Sequence, residues 1–93
     1  MPRYASICAI AKDEDPYIVE WAEYHLSIGF EHIHVYDNGS ARPVRDILRE
    51  YMDAGLVTVV DFPVEVEQQP AAYADCLAAY GAGTEWMAFI VHR

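Results

Sequence analysis

Positive charge is scarce in this sequence of 93 residues: six Lys and Arg stand against fifteen Asp and Glu, for a formal net charge of −9. A chain of this charge repels phosphate backbones and anionic lipid surfaces, which argues against nucleic-acid binding. Long apolar runs are missing too, since the longest uncharged stretch covers only residues 76–84. A membrane-spanning helix needs about 20 apolar residues, so no span is predicted. The acidic balance suits a site for a divalent cation or a sugar hydroxyl.

Cysteine is also scarce, with Cys8 and Cys76 far apart and no CxxC motif. Cys8 lies in a predicted buried strand and Cys76 on the apolar face of a predicted helix, so both are interpreted as small hydrophobic side chains in a reducing compartment. A disulfide between them stays open, although nothing in the sequence requires one. The first apolar run ends at Lys12 and is too short for the core of a signal peptide. A cytoplasmic location is therefore predicted.

Several motifs that would define a site are missing. No GxGxxG follows the first predicted strand and no GxxxxGK[ST] occurs, so typical dinucleotide and P-loop sites are disfavoured. No Ser-His-Asp or Cys-His arrangement is evident, and we assign no catalytic residue. His32 and His34 share one face of a predicted strand, where a pair of imidazoles can bind Zn²⁺. Further ligands are not evident, so hydrogen-bonded structural histidines are the preferred interpretation and no metal ligand is assigned.

What the sequence does contain is an alternation of strand and helix patterns. Its hydrophobic content of 54% predicts a packed core, and its length predicts a single domain over residues 1–93. Strands are predicted at residues 4–11, 32–36, 56–62 and 86–91, amphipathic helices at 16–28, 44–52 and 73–80, and an acidic loop at 63–70. Alternation of this kind predicts parallel pairing through right-handed crossovers. The expected fold is α/β: a three-layer, Rossmann-like open sheet of about four mainly parallel strands with helices on both faces.

Ligands of such sheets bind outside the carboxyl ends of the strands. Those ends carry residues 12–15, 37–40, 61–63 and 92–93, and three of these four segments contain carboxylates. Asp37 is the best single candidate, because the Asn-Gly-Ser that follows it allows a backbone to approach a ligand closely. The alternative is that residues 37–40 only supply turn and helix-capping chemistry.

Several segments, taken in order, resemble one protein family. They are ICAIAKDE (7–14), YIVEW (17–21), YH (24–25), GFEH (29–32), VYDNGS (35–40), Gln69, AYADCL (72–77) and WMAFI (86–90). The series is similar to the family 2-like and family 92-like glycosyltransferases of the GT-A fold. In that family a strand ends in Lys-Asn-Glu, a helix contains Glu-Trp and Tyr-His, and a second strand ends in Tyr-Asp-Asn-x-Ser. The resemblance covers nearly the whole chain.

The resemblance implies the nucleotide-sugar-binding half of a transferase, with a UDP-sugar as the expected partner. The implied binding residues are Ala11, Lys12, Glu14, Asp37, Asn38, Ser40, Gln69 and Asp75. Those near residue 12 would line the nucleotide pocket, and Asp37 would approach the base or ribose, with its turn shaped by the next residues. Gln69 and Asp75 match positions in a helix that leads toward the donor sugar. Asp13 replaces the commoner Asn and makes the pocket more acidic.

The last residues depart from the family. Relatives continue into an Asp-x-Asp motif that binds Mn²⁺ or Mg²⁺ and so neutralises charge on the leaving nucleoside diphosphate. Here Val91, His92 and Arg93 occupy those places. The expectation is a truncated domain without the metal ligands, the acceptor-binding half or a catalytic base, which transfers no sugar alone.

Two alternatives remain at this point. One is a noncatalytic α/β binding or assembly module that self-associates through the exposed edge of its fourth strand. The other is a receiver-like phosphotransfer domain, with Asp13, Glu14 and Asp61 forming a Mg²⁺ pocket. That second alternative also expects a hydroxyl residue and a lysine at later strand ends, and the sequence shows neither.

Overall fold

A computed structural model of the chain describes residues 3–12, 15–62 and 68–91. Its strands are β1 (Arg3–Ala11), β2 (His32–Asp37), β3 (Val57–Asp61) and β4 (Thr84–Val91). Its helices are α1 (Asp15–Ser27), α2 (Val44–Ile47), α3 (Arg49–Asp53) and α4 (Gln68–Tyr80), and a short 3₁₀ turn at Gly81–Gly83 follows α4.

The four strands form one sheet in the order β3-β2-β1-β4, and every neighbouring pair is parallel. The helices lie on both sides of it, α1 to α3 on one face and α4 on the other. This confirms the predicted α/β fold class. The cause is the one inferred from the sequence: apolar strands separated by amphipathic helices can bury both surfaces of a sheet only as three layers.

One face of the sheet, here called the α1–α3 face, is covered by an apolar core. Ile7 of β1 and Ile33 of β2 are fully buried there, against Ile18 of α1 and Leu48 at the junction of α2 and α3. Successive side chains of a strand alternate between faces. The odd-numbered residues that contribute to this core from β1 and β2 are Ile7, Ala9, Ala11, Ile33 and Val35. The α1–α3 face is therefore held by burial of apolar area.

The opposite face, here called the α4 face, is built differently. Cys8 of β1 and Cys76 of α4 are both buried and are joined by a disulfide. The sulfur of Met87 lies 3.2 Å from the Cys8 sulfur. The predicted burial of both cysteines is confirmed, but their interpretation as separate small hydrophobic side chains is wrong, because α4 brings the two together. The cytoplasmic location stays a prediction, and the disulfide removes one of its arguments, since disulfides persist mainly in oxidising compartments.

Two helix boundaries also differ from the predictions. The single helix expected at residues 44–52 is divided at Leu48, whose backbone (φ −101°, ψ 18°) leaves the helical region. Hydrogen bonds from Leu48 N to Val44 O and from Met52 N to Leu48 O continue across the break, so the segment bends while its apolar side stays on the sheet. The last three residues of the loop predicted at 63–70 belong to α4 instead. Pro70 fits there because the first turn of a helix needs no amide donor.

Candidate functional site

The carboxyl ends of neighbouring strands lie side by side. Ala11 of β1 is aligned with Asp37 of β2, which is aligned in turn with Asp61 of β3. On the other side of β1, Ile10 is aligned with Val91 of β4. The strand order reverses between β1 and β4, because β2 and β3 follow on one side of β1 and β4 lies on the other. Ligands of doubly wound sheets bind near such a reversal, so this carboxyl edge is the candidate site.

Asn38 ties three strand ends together at this edge. Its backbone N–H donates to the carbonyl oxygen of Ala11 at 2.9 Å, and its side-chain Nδ2 donates to the carbonyl oxygen of Phe62 at 2.9 Å. The Phe62 N–H donates in turn to the carbonyl oxygen of Asp37 at 2.8 Å. The segments that follow β1, β2 and β3 are thus fixed relative to one another.

The carboxylate of Asp37 organises the loop that leads to α2. Its two oxygens accept hydrogen bonds from the backbone N–H of Ser40 at 3.0 Å and of Val44 at 2.9 Å, and the residue is 4% exposed. Gly39, between them, has a φ of +76°, a left-handed conformation that suits glycine. Asp37 thus supplies the turn and helix-capping hydrogen bonds that were the alternative to a role in ligand binding. Contact between Asp37 and a base or ribose stays a prediction.

Two charged side chains next to this edge differ in their surroundings. Asp61 forms an ion pair with Arg45 of α2 at 2.7 Å, on the exposed surface. Lys12, directly after β1, is exposed. An ammonium group at the end of β1 and beside the strand-order reversal is well placed to meet a phosphate.

On the α4 face of the same edge, Tyr36 contacts Asp75. The Tyr36 hydroxyl donates to Oδ2 of Asp75 at 2.5 Å, and the ring of Tyr36 meets that of Phe62 edge-on at 5.3 Å. Tyr36 is 1% exposed, whereas Asp75 is exposed. Burial, and next the hydrogen bond to Asp75, raise the pKa of the Tyr36 phenol well above its ordinary value. The phenol therefore stays a hydrogen-bond donor across the physiological pH range.

The structure gathers most of the predicted binding residues at the carboxyl edge. Ala11, Lys12, Asp37, Asn38 and Ser40 lie at the ends of β1 and β2, and Asp75 lies on α4 beside Tyr36. Gln69 is the second residue of α4. Glu14 lies outside the described residues, as do Asp13, His92 and Arg93.

Sequence reasoning missed Tyr36, Arg45 and Phe62. The alternation within β2 was a usable signal for Tyr36, because it places this side chain on the face opposite Ile33 and Val35. No sequence signal pairs Arg45 with Asp61 or Asn38 with the backbone of Phe62.

The buried histidines lie away from the carboxyl edge, in the first half of β2. His32 Nε2 lies 2.7 Å from the hydroxyl of Thr58, and the His34 ring stacks on that of Tyr80 at 4.1 Å. Within the described ranges, no three His, Cys, Asp or Glu side chains form a group that can hold a metal ion. The described residues thus offer no set of ligands for Mn²⁺ or Mg²⁺. The helices of the described segments include none that is long and apolar enough to cross a bilayer.

The fold and site define a doubly wound α/β domain with its polar residues at the carboxyl edge. The profile of glycosyltransferase family 92 matches residues 4–90. The chain belongs to this family, which makes it a glycosyltransferase-like domain.

Two curated relatives carry the same family name. The chain is 28% identical to a glycosyltransferase family 92 protein of Ricinus communis over 89 residues, which are 96% of this chain and 16% of the relative. It is 27% identical to one of Oryza sativa subsp. japonica over 85 residues, which are 90% of this chain and 14% of the relative. The chain thus spans about a sixth of the length of these proteins. No solved structure matches it.

Proposed function

We propose that this chain binds the nucleotide part of a nucleotide-sugar donor, with a UDP-sugar as the expected ligand, at the carboxyl edge of β1 and β2. One observation carries the proposal: Asn38 bonds the ends of β1, β2 and β3 into a fixed edge beside the reversal of strand order. Membership in glycosyltransferase family 92 supports the chemical class of the ligand.

Each predicted residue has a role in this proposal. Lys12 attracts the diphosphate, while the backbone at Ala11 and the loop held by Asp37 form the floor of the nucleotide pocket. Asn38 and Ser40 keep the loop in place. The family resemblance assigns Gln69 and Asp75 of α4 to the sugar, and it assigns Glu14, which lies outside the described residues, to the nucleotide pocket.

Binding without transfer is the second part of the proposal. In a full-length family member, Mn²⁺ or Mg²⁺ would neutralise charge on the leaving diphosphate. In this sequence Val91, His92 and Arg93 occupy the places of the Asp-x-Asp motif that would bind this ion. We therefore expect the 93-residue chain to bind a donor and to transfer no sugar to an acceptor by itself.

The test is an NMR titration of the 93-residue chain with UDP, with and without Mg²⁺. Amide shifts at residues 11–12 and 37–40, with little dependence on Mg²⁺, are the expected result. Lys12→Ala should weaken UDP binding about fivefold, since it removes one charge-assisted contact to phosphate. Arg49→Ala is the matched control, because it removes one exposed positive charge on α3 and should change UDP affinity less than twofold. A well-dispersed spectrum that UDP does not shift would overturn the proposal.

A noncatalytic assembly module is the second candidate, and one observation favours it. Among the strands that the structure describes, β4 lies at an edge of the sheet and pairs with β1 on one side. An unpaired strand edge is a template for pairing with another strand, and self-association through β4 follows from it. Sedimentation of the chain between 10 and 500 μM tests this candidate. A monomer at every concentration would exclude it, whereas a dimer that ignores UDP would favour it over donor binding.

A further inference from the structure

Two consecutive residues of α4 attach this helix to the two central strands. Cys76 is bonded to Cys8 of β1, and Asp75 accepts the hydrogen bond of Tyr36 in β2. Because the disulfide already fixes the position of the helix backbone, the hydrogen bond from Tyr36 contributes little to the position of α4. What that bond does fix is the orientation of the Asp75 carboxylate.

The direction of α4 places Asp75 near the carboxyl edge. Tyr80 stacks on His34, and Asp75 accepts the hydrogen bond of Tyr36. The step of five residues along α4 therefore covers about the same distance as the step of two residues along β2. Five helical residues rise about 7.5 Å and two strand residues advance about 6.6 Å, so α4 runs back along β2 from the carboxyl edge toward the amino edge. Tyr36 precedes Asp37, the last residue of β2. Asp75 is thus the exposed carboxylate on the α4 side of the edge.

The carboxylates of Asp37 and Asp75 differ in how many of their oxygens can still accept a hydrogen bond from a ligand. Both oxygens of Asp37 accept backbone N–H groups, and the residue is buried. Asp75 is exposed, and of the described residues only Tyr36 hydrogen-bonds it, through Oδ2. Its Oδ1 can accept a hydrogen bond from a hydroxyl group in solution.

We propose that Tyr36 is a positioning residue for the sugar of the donor: its hydroxyl holds the Asp75 carboxylate so that Oδ1 accepts a hydrogen bond from a sugar hydroxyl. This inference rests on the proposed binding of a nucleotide sugar and adds to it the residue that orients the sugar contact. Tyr36 itself is buried and touches no ligand. It acts through Asp75, and its effect is confined to the sugar.

The test compares UDP with UDP-sugars in calorimetric titrations of the 93-residue chain. UDP-glucose, UDP-galactose and UDP-N-acetylglucosamine are each titrated, and the tightest is used. Tyr36→Phe and Asp75→Ala should each weaken binding of that UDP-sugar about fivefold, the worth of one hydrogen bond, and change UDP affinity less than twofold. The double variant should bind no more weakly than Asp75→Ala, because Tyr36 acts only through Asp75.

Tyr80→Phe is the matched control, since it removes a hydroxyl from the same helix and keeps the ring that stacks on His34. It should leave both affinities within twofold. Equal losses for UDP and the UDP-sugar in Tyr36→Phe would show a general structural role and overturn the inference, as would three UDP-sugars that bind no tighter than UDP. Asp75→Ala alters an exposed side chain, so it gives the answer even if Tyr36→Phe does not fold. Absence of UDP binding in the unchanged chain would overturn the proposed function instead.

Discussion

The two faces of the sheet are stabilised by different chemistry. On the α1–α3 face, residues such as Ile7, Ile18 and Ile33 are fully buried among other apolar side chains. On the α4 face, a disulfide, a tyrosine–aspartate hydrogen bond and the stacking of Tyr80 on His34 join α4 to the sheet. Apolar contacts tolerate small shifts of a helix, whereas directional bonds do not. The α1–α3 face is therefore stabilised by burial of apolar area, whereas the disulfide of the α4 face both stabilises the chain and fixes where α4 lies at the candidate site.

The largest effect is expected from breaking the disulfide of the α4 face. Cys8 and Cys76 are 68 residues apart in the sequence. A crosslink across that separation restricts the unfolded chain, and the chain-entropy relation gives about 4 kcal/mol of stability. Urea unfolding with and without dithiothreitol measures this value. The Cys8→Ala/Cys76→Ala double variant should not respond to dithiothreitol, and equal midpoints for the oxidised and reduced wild-type chain would contradict the prediction.

On the α1–α3 face, Ile33→Ala should cost about 3 kcal/mol, because it removes a fully buried side chain from a central strand and leaves a cavity. Ile28→Ala is the control: Ile28 is 55% exposed, and the change should stay within about 0.5 kcal/mol. Denaturant unfolding measures both. Because Ile33 lies on the face opposite Tyr36, the folded Ile33→Ala chain should keep the UDP-sugar preference of the wild type. A lost preference would show that both faces position the site.

An intermediate effect is expected at the carboxyl edge, where Asp37 serves the loop rather than either core. Asp37→Ala should cost about 2 kcal/mol, since two backbone N–H groups lose their acceptor. Hydrogen exchange at the amides of Ser40 and Val44 should accelerate in the same variant. Asp46→Ala removes an exposed carboxylate 3.5 Å from Arg49 and should cost less than about 0.5 kcal/mol. Unchanged exchange at both amides would mean that the carboxylate does not hold the loop.

The contrast between the faces also explains how far the sequence could predict the molecule. The order of strands and helices follows from apolar periodicity, which depends on local residues, and it was predicted almost completely. The bend at Leu48 was not predicted, because the residues on either side of it keep the helical spacing of apolar positions. The start of α4 was missed because Pro70 was interpreted as part of a loop, although a proline is tolerated in a first helical turn.

The site was predictable where it depends on topology. Parallel strands end at the same edge, so the residues after β1 and β2 had to lie together. The bond from Ser40 to Asp37 is a local turn contact of a known type. The pairs Tyr36–Asp75 and Cys8–Cys76 are 39 and 68 residues apart and depend on where α4 lies along the sheet. The helical spacing of apolar residues predicts which side of α4 faces the sheet but not which strand residues it meets, so these contacts required the structure.

The smallest predicted effect is a pH dependence of stability that comes from Tyr36 on the α4 face and not from the α1–α3 face. Burial and the bond to Asp75 raise the pKa of Tyr36 in the folded chain above its ordinary value of about 10. Above pH 10 the Tyr36 phenol therefore ionises in the unfolded chain and stays protonated in the folded chain. The contribution of this difference to the free energy of unfolding is complete below pH 10 and is lost as the pH rises. Between pH 9 and 10.5 the wild-type chain should lose about 0.8 kcal/mol more than Tyr36→Phe. Urea unfolding at both pH values tests this, and the Ile33→Ala chain should retain the full wild-type loss because its change lies on the other face. Equal losses in the wild type and Tyr36→Phe would show that the phenol ionises alike in both states, and the bond to Asp75 would then carry no stability of its own.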